Sequence, residues 1–145
     1  MGCASSIGLG VALELRKSNS ARQVCVLDGD GAALMQLGSM ATIGNLKPDN
    51  LLHLVIDNEC YESTGGQPTI SPSVDLVGVA HACGYPWARR VDGRDDLAAA
   101  LSEAKAFLGL RFLTVKVAPG SDPKLGRPTQ TPRQNVEAFL RNLGR

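Results

Sequence analysis

Asp30 and Asn58, two side chains with oxygen to offer a metal, stand just under thirty residues apart, each at the end of a short apolar run. Asp30 lies within Gly29-Asp30-Gly31, and Asn58 follows Asp57. These residue types suit Mg2+, a small hard cation that takes an octahedron of oxygens at about 2.0–2.1 Å and usually draws only one or two protein side chains, the rest coming from phosphate and water. Gly29 and Gly31 permit a tight turn and close approach. The N–H groups of Gly31 and Ala32, opening a helix, would meet a diphosphate, whose charge the helix dipole also favours. Gly-Asp-Gly alone is a common turn; its spacing from Asn58 and its surroundings give it weight.

The flanking sequence supplies elements to position both groups. Residues 22–28 (RQVCVLD) and 51–56 (LLHLVI) are short apolar runs that read as buried parallel strands. Between them Ala33, Leu34, Leu37, Met40, Ala41 and Gly44 recur at helical intervals along one face. After the second run comes a loop, residues 57–66 (DNECYESTGG), dense in polar groups and glycine. In an open α/β sheet, ligands collect beyond the carboxyl ends of the strands. Both polar clusters fall at such ends and are expected to face one crevice.

The Gly-Asp-Gly and Asp-Asn pair, at this spacing, resembles the motif of the thiamine diphosphate enzymes. Residues 29–35 (GDGAALM), Asp57-Asn58, 63–69 (STGGQPT) and 125–129 (LGRPT) together resemble the C-terminal, diphosphate-binding domain of the phosphonopyruvate decarboxylases, with the sulfopyruvate decarboxylase β subunits as near relatives. The likeness covers nearly the whole chain. It implies that Asp30, Asn58 and the carbonyl of Cys60 hold Mg2+, and that Gly29, Gly31, Ala32, Tyr61 and Ser63 join them around thiamine diphosphate. It further implies that Met1 stands where the family has a hydrophobic wedge beneath the cofactor, so that the domain is expected to be short at its N-terminus, without its first strand. The implied reaction removes carbon dioxide from a small anionic 2-keto acid to give an aldehyde. The activating Glu of the family sits on a separate pyrimidine-binding domain, so a pyrimidine-binding α-type partner subunit, and hence a homo- or hetero-oligomer, is expected. Glu59 and Glu62 lie at the diphosphate end and do not replace it.

Substrate contacts are less determined. Thr64 and Gln67 sit where the loop could meet the reacting groups, and Lys124 or Arg127 could pair with a phosphonate. The two cations are equally well read as solvated loop charges.

The remaining chain reads as alternating elements. Residues 1–17 form a glycine- and serine-led helix with Ser5 or Ser6 as N-cap, Gly8 and Gly10 lying close to a neighbouring backbone. Residues 67–72 are a Pro-containing loop or plain connector. A helix is expected over 74–83, and its His81 is more simply a packed or solvated side chain than a proton carrier; the same holds for His53 inside its strand. A strand over 87–91, a helix over 97–108 with Leu97, Ala100, Leu101, Ala104 and Leu108 inward, and a strand over 111–117 with a solvated Lys116 follow. A Pro- and Gly-rich loop, 118–131, leads to a terminal helix with Pro132 in its first turn. The expected fold is therefore a single α/β domain over residues 1–145, a three-layer parallel sheet with helices on both faces.

Composition excludes several classes. The chain has 145 residues, 43% of them hydrophobic, enough for one core, and a net charge of +1, which leaves no electrostatic footprint for nucleic acid or an anionic membrane. No apolar run reaches bilayer length, and no leader pattern opens the sequence, so the cytoplasm is the expected compartment. Cys3, Cys25, Cys60 and Cys83 are widely spaced, which argues for buried or unremarkable thiols over zinc or disulfides. Two readings from other classes stay open: a non-catalytic flavodoxin- or receiver-like module with Asp30 and Asp57 as its acids and Lys116 as its switch lysine, and a truncated chain that folds but does no chemistry.

Overall fold

The computed structural model describes residues 2–120, 122, 124–126 and 128–144. Four parallel strands form the central sheet, β1 (Val24–Gly29), β2 (Leu51–Asp57), β5 (Trp87–Val91) and β6 (Arg111–Lys116), in the spatial order β1-β2-β6-β5. Helix α1 (Ala4–Lys17) precedes β1, and α2 (Asp30–Met35) with α3 (Gly38–Leu46) joins β1 to β2. A two-stranded hairpin, β3 (Cys60–Tyr61) with β4 (Gln67–Pro68), and two 3-10 turns, Glu62–Thr64 and Ser71–Ser73, follow β2. Helix α4 (Leu76–Ala82) leads into β5, α5 (Arg94–Ala106) joins β5 to β6, and α6 (Pro132–Asn142) comes last.

The layers follow from the direction of travel. From β1 to β2 to β5 the chain moves one way across the sheet, and from β5 it doubles back to β6. Right-handed crossovers then put the earlier helices on one face and α5 on the other. The core agrees. Leu9, Val26, Met40, Ile43, Leu51, Val55, Leu76, Ala80 and Phe112 form one cluster, with α1, α3 and α4, while Leu54, Val91, Ala100, Leu113 and Val115 form a second beneath α5. This is the expected parallel sheet with helices on both faces. Among the described residues no helix is long and apolar enough to cross a membrane.

Several local expectations are corrected. Strand β1 starts at Val24 and is not buried on both faces: α5 packs on β5 and β6, so Leu27, on the α5 side of β1, is 68% exposed. The expected single helix after β1 is broken around Gln36-Leu37, and Ala41 faces outward while Ile43 takes its place inside. Helix α1 is capped by Cys3; Ser5 lies within its first turn, buried, with its hydroxyl 2.9 Å from that of Ser39. Gly8 does serve close packing, since a Cβ there would stand 2.2 Å from Val26 Cγ2. Helix α4 begins at Leu76 because the Asp75 carboxylate accepts the Gly78 N–H and so fixes the start. Helix α5 runs from Arg94 and ends at Ala106, which leaves Leu108 beyond it and 95% exposed, while Leu101, within the helix, is exposed too. The four cysteines form no disulfide, and Cys3 and Cys25 are exposed rather than buried. Residues 60–68, expected as loop, contain the β3–β4 hairpin. His81 is exposed and its Nδ1 lies 3.1 Å from the Tyr85 carbonyl, a packing role.

Helix α3 meets the α4–β5 turn through bare backbone. A Cβ on Gly44 would stand 1.8 Å from the Cys83 carbonyl oxygen, and neither side has a flexible atom to move. Gly44→Ala should therefore cost about 2 kcal/mol in urea unfolding. Gly10→Ala, at an exposed helical position with nothing within 4 Å, should instead gain up to about 1 kcal/mol in the same measurement.

Candidate functional site

Three carboxylates stand at the carboxyl ends of β1 and β2: Asp28, Asp30 and Asp57, which are 6%, 1% and 7% exposed. Burying a charge is costly unless it is paired. Asp28 faces His53, with Oδ2 and Nε2 3.5 Å apart, and its other oxygen accepts the Gly29 N–H at 3.1 Å. His53 in turn lies 3.5 Å from the Tyr85 hydroxyl and stacks edge-on against Phe112. Asp57 faces Lys116, 3.3 Å away, its register partner across β2 and β6. Asp30 has no ion-pair partner among the described residues. Among these residues its support is a hydroxyl: Thr69 Oγ1 donates to Asp30 Oδ2 at 2.5 Å.

The segment after β2 is fastened from several sides. Asp57 Oδ1 accepts the Ser71 hydroxyl at 2.6 Å and the Glu59 N–H at 3.2 Å. Glu59 adopts a left-handed conformation, φ 61°, that a non-glycine residue keeps only where its surroundings hold it. Here its carbonyl accepts the Thr69 N–H at 2.8 Å, and its carboxylate pairs with Lys116. Burial by itself would lower the Lys116 pKa, but the bonds to Glu59 and Asp57 outweigh it and hold the ammonium above its ordinary 10.5. Lys116 is thus an ion-paired strut and not the solvated charge expected.

Beside these struts, Gly29, Asp30, Gly31, Ala32, Asn58, Cys60, Tyr61 and Ser63 line one open cavity of about 380 Å³. The Tyr61 ring explains Gly31: a Cβ there would stand 2.4 Å from Tyr61 Cε1. The Asn58 amide is oriented by its own turn, its oxygen accepting the Cys60 N–H at 3.2 Å and its nitrogen donating to Glu62 at 3.3 Å. The Cys60 thiol donates to Glu62 at 3.0 Å; that bond, with desolvation and the negative charge of Glu62 and Asp30, pushes its pKa up to about 11. The sulfur therefore stays protonated, and Cys60 offers a metal its carbonyl.

The donor set fits a hard cation bound with an anion. Among the described residues Asp28, Asp30 and Glu62 line the cavity and no Lys or Arg does, so a diphosphate alone would meet like charge from these side chains. Asp30, Asn58 and the Cys60 carbonyl are all-oxygen donors of the kind Mg2+ prefers. Among the described residues no group of three or more His, Cys, Asp and Glu side chains is arranged to hold a metal, which leaves zinc-type sites without support. A receiver-like role for Asp57 fits poorly, since both of its oxygens are engaged.

Other expected residues fall elsewhere. Thr64 and Gln67 do not line the cavity; they are exposed and bond each other, Thr64 Oγ1 to Gln67 Oε1 and Gln67 Nε2 to the Thr64 carbonyl, both at 2.9 Å. Lys124 is exposed in the loop before α6. Met1 and Arg127 lie outside the described residues. Sequence reasoning missed Thr69, Ser71 and the Asp28–His53 pair. The T-x-S spacing, in which the threonine hydroxyl can accept the N–H two residues on, was the available signal.

Comparison with known proteins gives the family. The family "Thiamine pyrophosphate enzyme, C-terminal TPP binding domain" matches residues 1–115. A phosphonopyruvate decarboxylase of Streptomyces viridochromogenes is 48% identical over 96% of this chain and 34% of its own length. A sulfopyruvate decarboxylase subunit beta of Methanothermobacter thermautotrophicus is 41% identical over 83% of this chain and 60% of its own. The chain thus spans about a third of the former relative and three fifths of the latter. Among solved structures, benzoylformate decarboxylase from Polynucleobacter necessarius superposes with a TM-score of 0.64 at 26% identity, covering 80% of this chain and 23% of that one.

The Lys116 strut has a measurable signature. Lys116→Met leaves Asp57 buried without its cation and should cost about 2–3 kcal/mol in denaturant unfolding at pH 7. Because the folded-state pKa is raised, the strut contributes in full below about 10.5 and its contribution is lost as pH rises through the higher folded value. Wild type should therefore lose stability on alkaline titration above that point, and Lys116→Met should lack this component.

Proposed function

This chain belongs to the thiamine pyrophosphate enzymes through their C-terminal TPP-binding domain, and from that premise we propose that it holds Mg2+ and thiamine diphosphate for the decarboxylation of a small anionic 2-keto acid. The observation that carries the reading is Asp30: a carboxylate 1% exposed, facing a cavity, with no cation beside it among the described residues. Such a group calls for a bound cation. Asp30, Asn58 and the Cys60 carbonyl would hold the metal. The N–H groups that open α2 at Gly31 and Ala32 would face the diphosphate, and Leu27 and Ile56 give the cavity an apolar wall. When bound, the cofactor supplies the electron sink for loss of carbon dioxide. The protein's part is to position it and to limit water around it.

Phosphonopyruvate is the proposed substrate, with phosphonoacetaldehyde and carbon dioxide as products. The length of the match to the phosphonopyruvate decarboxylase relative, 139 residues at 48% identity over 96% of this chain, supports this choice. Sulfopyruvate is the second reading, favoured by relatives that are themselves named as β subunits. In either case we assign the activating Glu to a pyrimidine-binding partner subunit. Glu62 accepts hydrogen bonds from Asn58, Cys60 and the Gly120 N–H, and Glu59 is bound to Lys116, so neither is free for that role.

Calorimetric titration with thiamine diphosphate and Mg2+ tests the site. Binding by wild type that Asp30→Ala abolishes supports it, and no binding to the folded wild-type chain sinks it. Activity is expected only on mixing with a pyrimidine-domain subunit, with carbon dioxide release faster from phosphonopyruvate than from sulfopyruvate. Turnover by this chain alone would refute the two-subunit reading.

A further inference from the structure

Thr69 is buried and immobilised from every side. Its hydroxyl donates to Asp30 Oδ2 at 2.5 Å and accepts the Ser71 N–H at 3.3 Å, and its own N–H goes to the Glu59 carbonyl at 2.8 Å. Its methyl lies 3.2 Å from the place a Cβ on Gly31 would occupy. A threonine hydroxyl has one proton to give, and this one is committed to a single oxygen of Asp30. The other carboxylate oxygen is left for a cation.

We propose that Thr69 sets the metal preference of the site, making Asp30 a one-oxygen ligand that suits Mg2+ and disfavours Ca2+. The inference rests on Asp30 being a metal ligand. Mg2+ binds single oxygens in a compact octahedron at about 2.0–2.1 Å, whereas Ca2+ takes about 6–8 oxygens at 2.3–2.6 Å and readily draws both oxygens of a carboxylate. A hydroxyl clamped on one oxygen leaves the other open to Mg2+ and competes with Ca2+ for a two-oxygen grip. The anchoring of Thr69 by Glu59 and Ser71 matters for the same reason: a mobile hydroxyl would yield to the larger ion, and this one is held in place by backbone bonds.

The test is calorimetric titration of the full chain with thiamine diphosphate at saturating Mg2+ or saturating Ca2+, read as the ratio of the two affinities. Thr69→Val should lower the Mg2+/Ca2+ ratio about tenfold, in the range found when an outer partner of a metal ligand is removed. Thr69→Ala should do the same, which guards against misfolding of one variant, and Thr69→Ser, which keeps the hydroxyl, should hold the wild-type ratio. Preference retained in both the Val and the Ala variants overturns the inference while leaving the site intact, as does preference lost in the Ser variant. Wild type that binds cofactor with neither metal overturns the reading of the site, and this inference with it.

Discussion

A carboxylate with no cation beside it governs this molecule. Taking an ion out of water costs several kcal/mol even after the protein relaxes, and three acids are gathered at the ends of two neighbouring strands. Asp57 is answered from the next strand by Lys116. Asp28 faces His53 across 3.5 Å without a hydrogen bond between them. Among the described residues Asp30 is answered only by a neutral hydroxyl. The charge of Asp57 is therefore settled by the fold, while Asp30, at the start of α2, is left for something that arrives from the cavity. Stability and binding are divided among three chemically identical groups by what faces each of them.

Around that asymmetry the segment from Asp57 to Ser71 acts as a strap. Its ends are tied by hydroxyls, Thr69 to Asp30 and Ser71 to Asp57, and its middle is held by Glu59 on Lys116. The left-handed backbone at Glu59 is tolerated because its N–H, its carbonyl and its carboxylate are each engaged. Asn58 and Cys60 flank it, so their orientation is inherited from a residue that itself makes no contact with the cavity.

Much of this was legible in the sequence because it is local. Gly29 to Ala32 and Asn58 to Ser63 could be placed at strand ends by apolar runs and polar punctuation alone, and the sheet by the alternation of strands with helices. What was not legible depends on partners distant in the chain. Lys116 reads as a solvated charge until β6 is seen to lie beside β2, which sequence order does not suggest. Thr69 and Ser71 read as connector residues until the strap folds back onto β1 and β2. Leu27 reads as core because its run is apolar on both faces, yet the cluster beneath α5 takes in β2, β5 and β6 and not β1. Leu108 fits the helical period but falls beyond the end of α5, where the period no longer dictates direction.

The doubling back of the sheet also bears on how the molecule comes together in time. β6 is the last strand of the sheet in the chain and yet lies between β2 and β5, so β5 has no strand to pair with until β6 inserts. Lys116 arrives with it, bringing to Asp57 a charge from 59 residues away. Non-local closure of this kind is entropically slow and is rewarded only at the end. The strap around the cavity is thus expected to be among the last parts to gain order, and a nascent chain that lacks β6 would carry its acids at the strand ends without the strut that holds them.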